Sequence, residues 1–357
     1  MAKHPDPANE RVYQTVTTWI DTCLDADGSL LTPDQEIWST HQLADLFDRI
    51  WVHGDSTPGA GYFQKLQGQL NGASPKVIQL AAEVNAVHFL SIWTGALAAT
   101  TKRKQVEQIL AWMPPPVPAI PSDIIETFAV GLAHPGRFAL QRRDTQVAFL
   151  LHFGQRWKAE PAEERAAMRS DPWKFQAWSG SVVEHPQWEN QRQMLLHLFH
   201  PDAFEPIVSP DHKQRIVARF QAFAESEETI DKQILAIRTA LTPTEGERFN
   251  WYDEPRVNRW LKDKPKWGAL CNWATKFRAL PDFDAAERDY KLKAIEQVAA
   301  ARTSVLAGEN DWLERLKRGF QNANNNITNW QAHDTFLKWA ANNPDVAKVC
   351  RPDESGH

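Results

Sequence analysis

Apolar residues recur at three- and four-residue spacing along most of the chain, which is the pattern of amphipathic helices. The first apolar stripe begins at Val12 and reaches Leu24. Ser39 or Thr40 is placed to cap a second helix, which Gly54 ends. Further helices are predicted over 59–71, 75–95, 101–113, 123–132, 144–158, 229–241 and 285–306. The pattern therefore predicts a mainly α protein of multi-helix, bundle-like domains with few or no strands.

A proline-rich segment, MPPPVPAIP at residues 113–121, is the clearest interruption of this helical pattern. Consecutive prolines cannot continue a helix and favour an extended backbone. We therefore predict a linker or a strap across a helical surface at this point. The predicted division is an N-terminal helical domain at 1–113, the linker or strap at 114–121, a central helical domain at 122–250 and a Trp-rich, mildly basic helical domain at 251–350.

Tryptophan is the unusual component of the composition, with 16 Trp against 4 Tyr. Indole rings seal the seams between helices, and they also stack on nucleic-acid bases, so their number alone does not choose between the two roles. The net charge is −5, yet residues 255–320 carry 14 Lys and Arg against 9 Asp and Glu. A basic segment on an acidic chain is compatible with nucleic-acid contact, and the alternative is a solvated helical face.

The segment 251–278 interleaves aromatic and basic residues and is the strongest binding candidate in the sequence. Flat rings can stack on bases while Lys and Arg neutralise phosphates. The alternative assigns the rings to a helical core and the cations to its solvent face. The candidate nucleic-acid-binding residues are Trp251, Tyr252, Arg256, Arg259, Trp260, Lys262, Lys264, Lys266, Trp267, Lys276 and Arg278.

The block Met194–Phe220 joins an apolar helix, a proline-interrupted turn and a basic amphipathic helix. Ser209 is placed to cap the second helix, and Asp211 lies in its first turn, where the helix dipole favours a carboxylate. The secondary candidates for a phosphate or partner contact are His212, Lys213 and Arg215. The alternative is a well-capped structural helix with a charged outer face.

Motifs for catalysis are missing from the sequence. There is no GxxxxGK[ST] phosphate loop, and no Ser, Cys or Thr stands in a nucleophile elbow or triad pattern. His197 and His200 have a spacing that metals use, but Leu195, Leu196 and Leu198 surround them, so a packed pair is predicted instead. We therefore predict no catalytic residue, no cofactor and no metal ligand.

The three cysteines, Cys23, Cys271 and Cys350, lie far apart, which fits a reducing compartment better than a disulfide scaffold. The N-terminus lacks the apolar core of a signal peptide, and no run approaches 18 consecutive apolar residues. These features predict a soluble, cytoplasmic protein without a membrane partner.

The block Met194–Phe220, together with GYFQKLQGQL at 61–70 and AARTSVLAGENDW at 300–312, resembles the region upstream of the motor in McrB-like AAA+ proteins. These are the NTPase subunits of modification-dependent restriction systems. The resemblance covers about residues 40–345 and is densest over 190–260. It implies a helical pre-motor region of an anti-phage protein that serves DNA recognition or complex assembly.

The same resemblance implies DNA, a AAA+ motor module and a nuclease subunit as partners. McrB-like proteins hydrolyse nucleotide through the phosphate loop that this sequence lacks, so no hydrolytic role is carried over. The chain would be either the N-terminal part of a longer protein or a separately encoded helical partner. The competing hypothesis is a structural or protein-interaction module that binds no nucleic acid.

Overall fold

The computed structural model describes residues 2–55, 57–133, 141–224, 229–253 and 256–261. These residues belong to a compact unit formed by residues 1–261, and residues 262–357 form a second unit. The helix predicted over 285–306, like the part of the predicted 251–350 domain after Leu261, lies outside the described residues.

The described residues are mainly helical, which confirms the predicted fold class. One isolated parallel bridge, between Ile92 and Ala133, is the sole β pairing recorded within these ranges. The helices are α1 Glu10–Thr18, α2 Thr40–Phe47, α3 Tyr62–Gln69, α4 Pro75–Leu90, α5 Ala99–Leu110, α6 Ser122–Phe128, α7 Arg143–Ala159, α8 Ala162–Ser170, α9 Pro172–Ser181, α10 Glu189–Phe199, α11 Pro210–Arg219, α12 Ile230–Glu245 and α13 Val257–Trp260. None of the helices in these ranges has the length and hydropathy needed to cross a bilayer.

Local sequence signals account for most helix ends. The Ser39 hydroxyl accepts a hydrogen bond from the backbone N–H of Gln42, as the cap prediction requires. Both α1 and α2 continue as short π-helical stretches, Trp19–Leu24 and Asp48–Val52. The helix α8 was not predicted, because its face toward the core contributes one buried residue, Met168, and so gives a weak apolar pattern.

The first hydrophobic core contains buried residues from Val12 to Val208. At its centre, every residue of α4 from Val77 to Leu90 is buried, so this helix is enclosed on all sides. The first core includes residues that precede the predicted 114–121 linker or strap and residues that follow it. The helix α4, which precedes this segment, packs against α7, which follows it. Within that segment Pro114 is exposed while Ile120 is buried against the core.

Aromatic rings fill the part of this core around Phe153 on α7. Its ring centroid lies 6.0 Å from that of Trp157, 5.4 Å from that of Trp178 and 5.6 Å from that of Phe199. Edge-to-face and stacked pairs at such distances add to the burial of apolar area. Much of the tryptophan content is therefore explained by packing: Trp19, Trp38, Trp157 and Trp188 are all buried.

A buried carboxylate, Glu83 on α4, organises the irregular chain between the first two helices. Its oxygens accept hydrogen bonds from the Ser29 hydroxyl at 2.5 Å, the Leu30 N–H at 2.9 Å and the Trp38 indole N–H at 2.7 Å. Burial raises the pKa of Glu83, and these donors oppose that rise. The loop is thus held in place by donors that satisfy one buried acid.

The turn after α6 approaches the end of α4 so closely that Gly131 has no room for a side chain. Trp93 N donates to Ala133 O at 2.8 Å and Ala133 N donates to Ser91 O at 3.0 Å, and a Cβ on Gly131 would overlap the Ile92 carbonyl. Backbone must therefore move to accept any larger residue.

We expect Gly131→Ala to lower the free energy of unfolding by about 1–3 kcal/mol, as overpacking does. Gly68→Ala is the matched control, because nothing lies within 4 Å of a Cβ at that position of α3. There alanine should raise the free energy of unfolding by about 0.5–1 kcal/mol through helix propensity. Urea unfolding followed by circular dichroism measures both, and effects of the same sign would contradict the close approach.

Candidate nucleic-acid interface

The described part of the segment predicted to bind nucleic acid, residues 251–253 and 256–261, belongs to a second hydrophobic cluster. This second cluster lies between α11, α12, the chain at 249–253 and α13. Its buried members are Ile207, Ile216, Phe220, Ala224, Ile234, Ile237, Leu241, Phe249, Trp251 and Trp260.

Two of the candidate rings, Trp251 and Trp260, are core residues of this cluster. Their exposed fractions are 1% and 6%, and the Trp260 indole N–H donates to the carbonyl of Trp251 at 3.0 Å. The Trp251 ring also packs on Phe249, with centroids 5.1 Å apart. Both rings therefore have the core role that the sequence analysis gives as the alternative to nucleic-acid binding. Stacking of either ring on a base would require the second cluster to open.

Tyr252 is half-buried beside His212, one of the secondary candidates. The Tyr252 Oη lies 3.0 Å from His212 Nδ1, and both rings pack on Trp260. Burial raises the pKa of the Tyr252 phenol and lowers the pKa of the His212 imidazole, so both groups favour their neutral forms. This pair braces α11 against the 249–253 chain rather than presenting a charge.

Arg256 and Arg259 share the carboxylate of Glu245. Arg256 Nη2 lies 2.5 Å from one Glu245 oxygen, and Arg259 Nη1 lies 2.9 Å from the other. The hydrogen bond from Arg256 is the largest cause that lowers the pKa of Glu245. Arg256 is 8% exposed and also donates to the Asn250 carbonyl at 2.6 Å, whereas the Arg259 side chain is 40% exposed. Of the two, Arg259 alone is presented to solvent.

Lys213, a secondary candidate for a phosphate or partner contact, faces the interior and is not presented to solvent. This lysine on α11 is 1% exposed, and its ammonium group lies 2.5 Å from Asp231 on α12 and bonds Gln193 on α10. Asp231 also accepts a hydrogen bond from Gln176 on α9 at 2.6 Å. Lys213 faces inward because an amide from α10 and a carboxylate from α12 bind its ammonium group, which compensates for the burial of its charge.

Arg215 and Arg219 lie on the outer side of α11. Arg215 Nε lies 2.8 Å from Asp211 one turn earlier, and Arg219 Nε donates to the Arg259 carbonyl at 3.1 Å. Arg219 and Arg259 both lie over the Phe220 ring. The described part of the candidate interface is therefore a short basic edge in which Arg215 and Arg259 each pair with a carboxylate.

The remaining candidates lie outside the described residues. They are Lys262, Lys264, Lys266, Trp267, Lys276 and Arg278. Their roles stay predictions.

A buried ion pair that the sequence analysis missed joins the second cluster to the chain after α10. Arg238 on α12 bonds both oxygens of Glu205, with Nη2 at 2.8 Å, and donates to the Phe249 carbonyl at 2.8 Å. Its guanidinium carbon lies 3.9 Å from the Phe249 ring centroid. Arg238 follows Ile234 and Ile237 on the apolar face of α12. This position is the sequence signal that could have predicted that Arg238 is buried.

His197 and His200 do not share a metal site. His197 Nδ1 donates to the Phe204 carbonyl at 2.6 Å, and His200 Nε2 lies 2.8 Å from the Met168 carbonyl. Both rings are buried, as the packed alternative predicted. Over the described ranges, no three His, Cys, Asp or Glu side chains are grouped so as to hold a metal ion.

A polar cavity of about 250 Å³ lies where α1 meets the chain around α8 and α10. Its charged lining residues are Lys3, Glu10 and Arg169. Lys3 pairs with Glu10 at 3.2 Å, and Arg169 pairs with Asp21 at 2.6 Å. Because each cation already has a carboxylate partner, this cavity shows no preference for an anionic ligand.

Comparison of the chain with protein-family models, with curated proteins and with solved structures found no match. The resemblance to McrB-like proteins therefore stays a prediction from the sequence segments that carry it.

Proposed function

We propose that the chain is a non-catalytic assembly module of a McrB-like restriction system, and that its residues 2–261 act as a rigid helical scaffold for protein partners. The observation that supports this most directly is the second cluster. Trp251 and Trp260, which in a nucleic-acid-binding surface would be exposed, are instead core residues, and the buried cations Lys213 and Arg256 are held in ion pairs.

Cross-bracing between helices supports a scaffold role. The Lys213–Asp231 pair connects α11 and α12, and through Gln176 and Gln193 it reaches α9 and α10. The Glu205–Arg238 pair connects α12 to the chain after α10. Satisfied polar networks of this kind favour one arrangement of the helices, and a fixed arrangement is what a docking surface needs.

Co-purification tests this proposal. The tagged full-length chain is co-expressed with the products of its neighbouring genes, including any AAA+ motor and nuclease subunits, and complexes are sized by light scattering after gel filtration. We expect a complex of defined stoichiometry that persists at 0.5 M salt. A chain that remains monomeric with every such product would contradict an assembly role.

DNA recognition is the second candidate, and the described feature that favours it is the basic edge, of which Arg219 and Arg259 are the exposed members. Filter binding of duplex and single-stranded DNA between 50 and 200 mM salt separates the two functions, because each phosphate contact contributes about 0.9 to the slope of log affinity against log salt.

We expect the double substitution Arg219→Gln with Arg259→Gln to change any DNA affinity by less than about twofold, like the control Lys76→Gln with Lys104→Gln on α4 and α5. Salt-dependent binding that only the arginine substitutions weaken would favour DNA recognition by this edge. Binding that depends on Lys262, Lys264 and Lys266 would assign recognition to residues after the scaffold.

A further inference from the structure

Trp93 is an exposed tryptophan in a chain whose other described tryptophans are buried or half-buried. It is 52% exposed and lies in the turn between α4 and α5, whereas Trp19, Trp38 and Trp157 are enclosed in the first core. Single exposed apolar side chains are common on protein surfaces. Trp93 differs from an incidental surface residue in two further features, its rigid support and its uncharged surroundings.

The backbone of Trp93 is fixed by contacts within its own turn and with the turn after α6. Its N–H donates to the Ala133 carbonyl at 2.8 Å. Its carbonyl accepts from the N–H groups of Ala96 at 2.9 Å and Leu97 at 3.1 Å. Both backbone polar groups of Trp93 are thus bonded, so the turn cannot shift without breaking these bonds.

A buried ammonium group, that of Lys102 on α5, fastens the same turn. This lysine is 0% exposed. Its Nζ donates to the Ile92 carbonyl, to the Phe128 carbonyl at 3.3 Å and to the Val130 carbonyl at 3.2 Å. These acceptors lie at or just after the C-terminal ends of α4 and α6, where the helix dipoles favour a cation. The ammonium group therefore ties Ile92, the residue before Trp93, to the end of α6.

The indole ring of Trp93 lies against the backbone of Gly95. A Cβ on Gly95 would come within 2.3 Å of Trp93 Cη2. Glycine at this position therefore leaves room for the outer edge of the ring against the turn. A side chain that is ordered before binding loses less conformational entropy when a partner immobilises it.

The surface around Trp93 carries no charged side chains of its own segments. We define the Trp93 corner as residues 91–101 and 127–133, which the Ile92–Ala133 bridge joins. Neither segment contains Asp, Glu, Lys or Arg, although these residues make up 24% of the chain. Leu97, Ala98 and Val130 of the corner also reach solvent, and all three are apolar.

This composition selects the class of partner. A surface that binds nucleic acid needs cations to neutralise phosphates, and the Trp93 corner supplies none. The centre of a protein–protein interface, by contrast, is depleted of charged residues and enriched in tryptophan. The Trp93 corner therefore has the chemistry of a protein-docking surface.

We infer that Trp93 is the anchor through which the chain docks onto a protein partner, with its indole inserted into an apolar pocket of that partner. This docking rests on the proposed assembly role and assigns a surface to it. A tryptophan at the centre of an interface contributes a large apolar area and an indole N–H donor, which is why it is often a hot spot.

The affinity of the complex tests this docking. The full-length chain is titrated against the neighbouring-gene product with which it co-purifies, and biolayer interferometry gives the dissociation constant. We expect Trp93→Ala to weaken the complex by about 30-fold or more, as truncation of a hot-spot tryptophan does. Trp93→Ala should unfold in urea like the wild-type chain, because the ring is exposed.

Phe223→Ala is the matched control, since that ring is 47% exposed but lies outside the Trp93 corner, and it should bind like the wild-type chain. Gly95→Ala keeps the indole and displaces it, so its complex should be weaker than that of the wild-type chain. Gly61→Ala should leave the affinity unchanged, because nothing lies within 4 Å of a Cβ at that position.

The outcomes separate this docking from the assembly role. A wild-type complex that Trp93→Ala does not weaken would overturn docking through the Trp93 corner and leave the assembly role standing. Absence of a complex with every neighbouring-gene product would overturn the assembly role, and this docking with it. If Trp93→Ala loses an affinity for single-stranded DNA that Phe223→Ala retains in filter binding, the ring stacks on bases, and the protein pocket is the wrong partner.

Discussion

Glu205→Gln should lower the free energy of unfolding by about 3–5 kcal/mol, because it removes the carboxylate charge that pairs with a buried guanidinium. Arg238 is 1% exposed, and Glu205 is its carboxylate partner among the described contacts. The Phe249 carbonyl, which also accepts a hydrogen bond from Arg238, carries no formal charge. Urea unfolding at pH 7, with circular dichroism as the readout, measures the loss.

The exposed pair of Arg103 and Glu107 is the control for this result. It joins two residues one turn apart on α5, with side chains about half exposed. Glu107→Gln should change the free energy of unfolding by about 0.5 kcal/mol or less, since water already solvates both charges.

The double substitution Glu205→Gln with Arg238→Met separates charge from packing. Replacing both partners of a buried pair removes both charges together, so the double variant should recover most of the stability that Glu205→Gln loses. A loss in the double variant as large as in the single one would show that shape, and not the loss of one charge from the pair, limits stability here.

Phe153→Ala should lower the free energy of unfolding by about 3–5 kcal/mol, the range for a phenylalanine removed from a packed core. The ring is fully buried and lies within 6.2 Å, centroid to centroid, of Phe149, Trp157, Phe175, Trp178 and Phe199. These neighbours come from three helices, so they cannot all collapse into the space that the alanine leaves. Differential scanning calorimetry at pH 7 measures the change.

Phe223→Ala is the matched control, because that ring is 47% exposed. Its loss should cost less than about 1 kcal/mol, since surface substitutions away from special features have small effects. If the two phenylalanine variants lost equal stability, the aromatic hub around Phe153 would not be the packing centre that the structure indicates.

Two of these variants, Glu205→Gln and Phe223→Ala, also bear on the proposed function. A scaffold that presents a docking surface depends on the relative positions of its helices, so the partner complex should weaken in Glu205→Gln even under conditions where the chain remains folded. Phe223→Ala, which disturbs no buried contact, should assemble like the wild-type chain unless this ring itself touches a partner.

The helical class and most helix positions could be predicted from the sequence because the signals are local. Ser39 and Ser209 cap helices as predicted, and each cap depends on a residue three positions away. Pro114–Pro116 ends the helical run because proline cannot donate within a helix. The apolar stripe from Val12 to Leu24 is buried as its spacing indicates.

The candidate site could not be predicted in the same way. A lysine at 213 on a basic amphipathic helix has the local pattern of a solvent-exposed charge, and its burial depends on Asp231, 18 residues further on. Arg238 likewise depends on Glu205, 33 residues earlier. Neither pair follows from the spacing of apolar and polar residues in a short stretch of sequence, so neither could be predicted from local patterns.

The aromatic residues show the same division between local and long-range information. The number and spacing of the aromatic residues predict either packing between helices or stacking on nucleic-acid bases, and the same rings would serve in both roles. Trp251 and Trp260 are packed in the second cluster, because Phe220, Phe249 and α12 surround them.

Hydrophobic periodicity and capping thus specify the helices of this protein, since both act between residues a few positions apart. Which charges are buried, which rings are enclosed and where Trp93 meets Ala133 were decided only when distant segments packed together. The physical reason is that the free energy of a charge or a ring depends on its surroundings, and those surroundings are assembled from the whole fold.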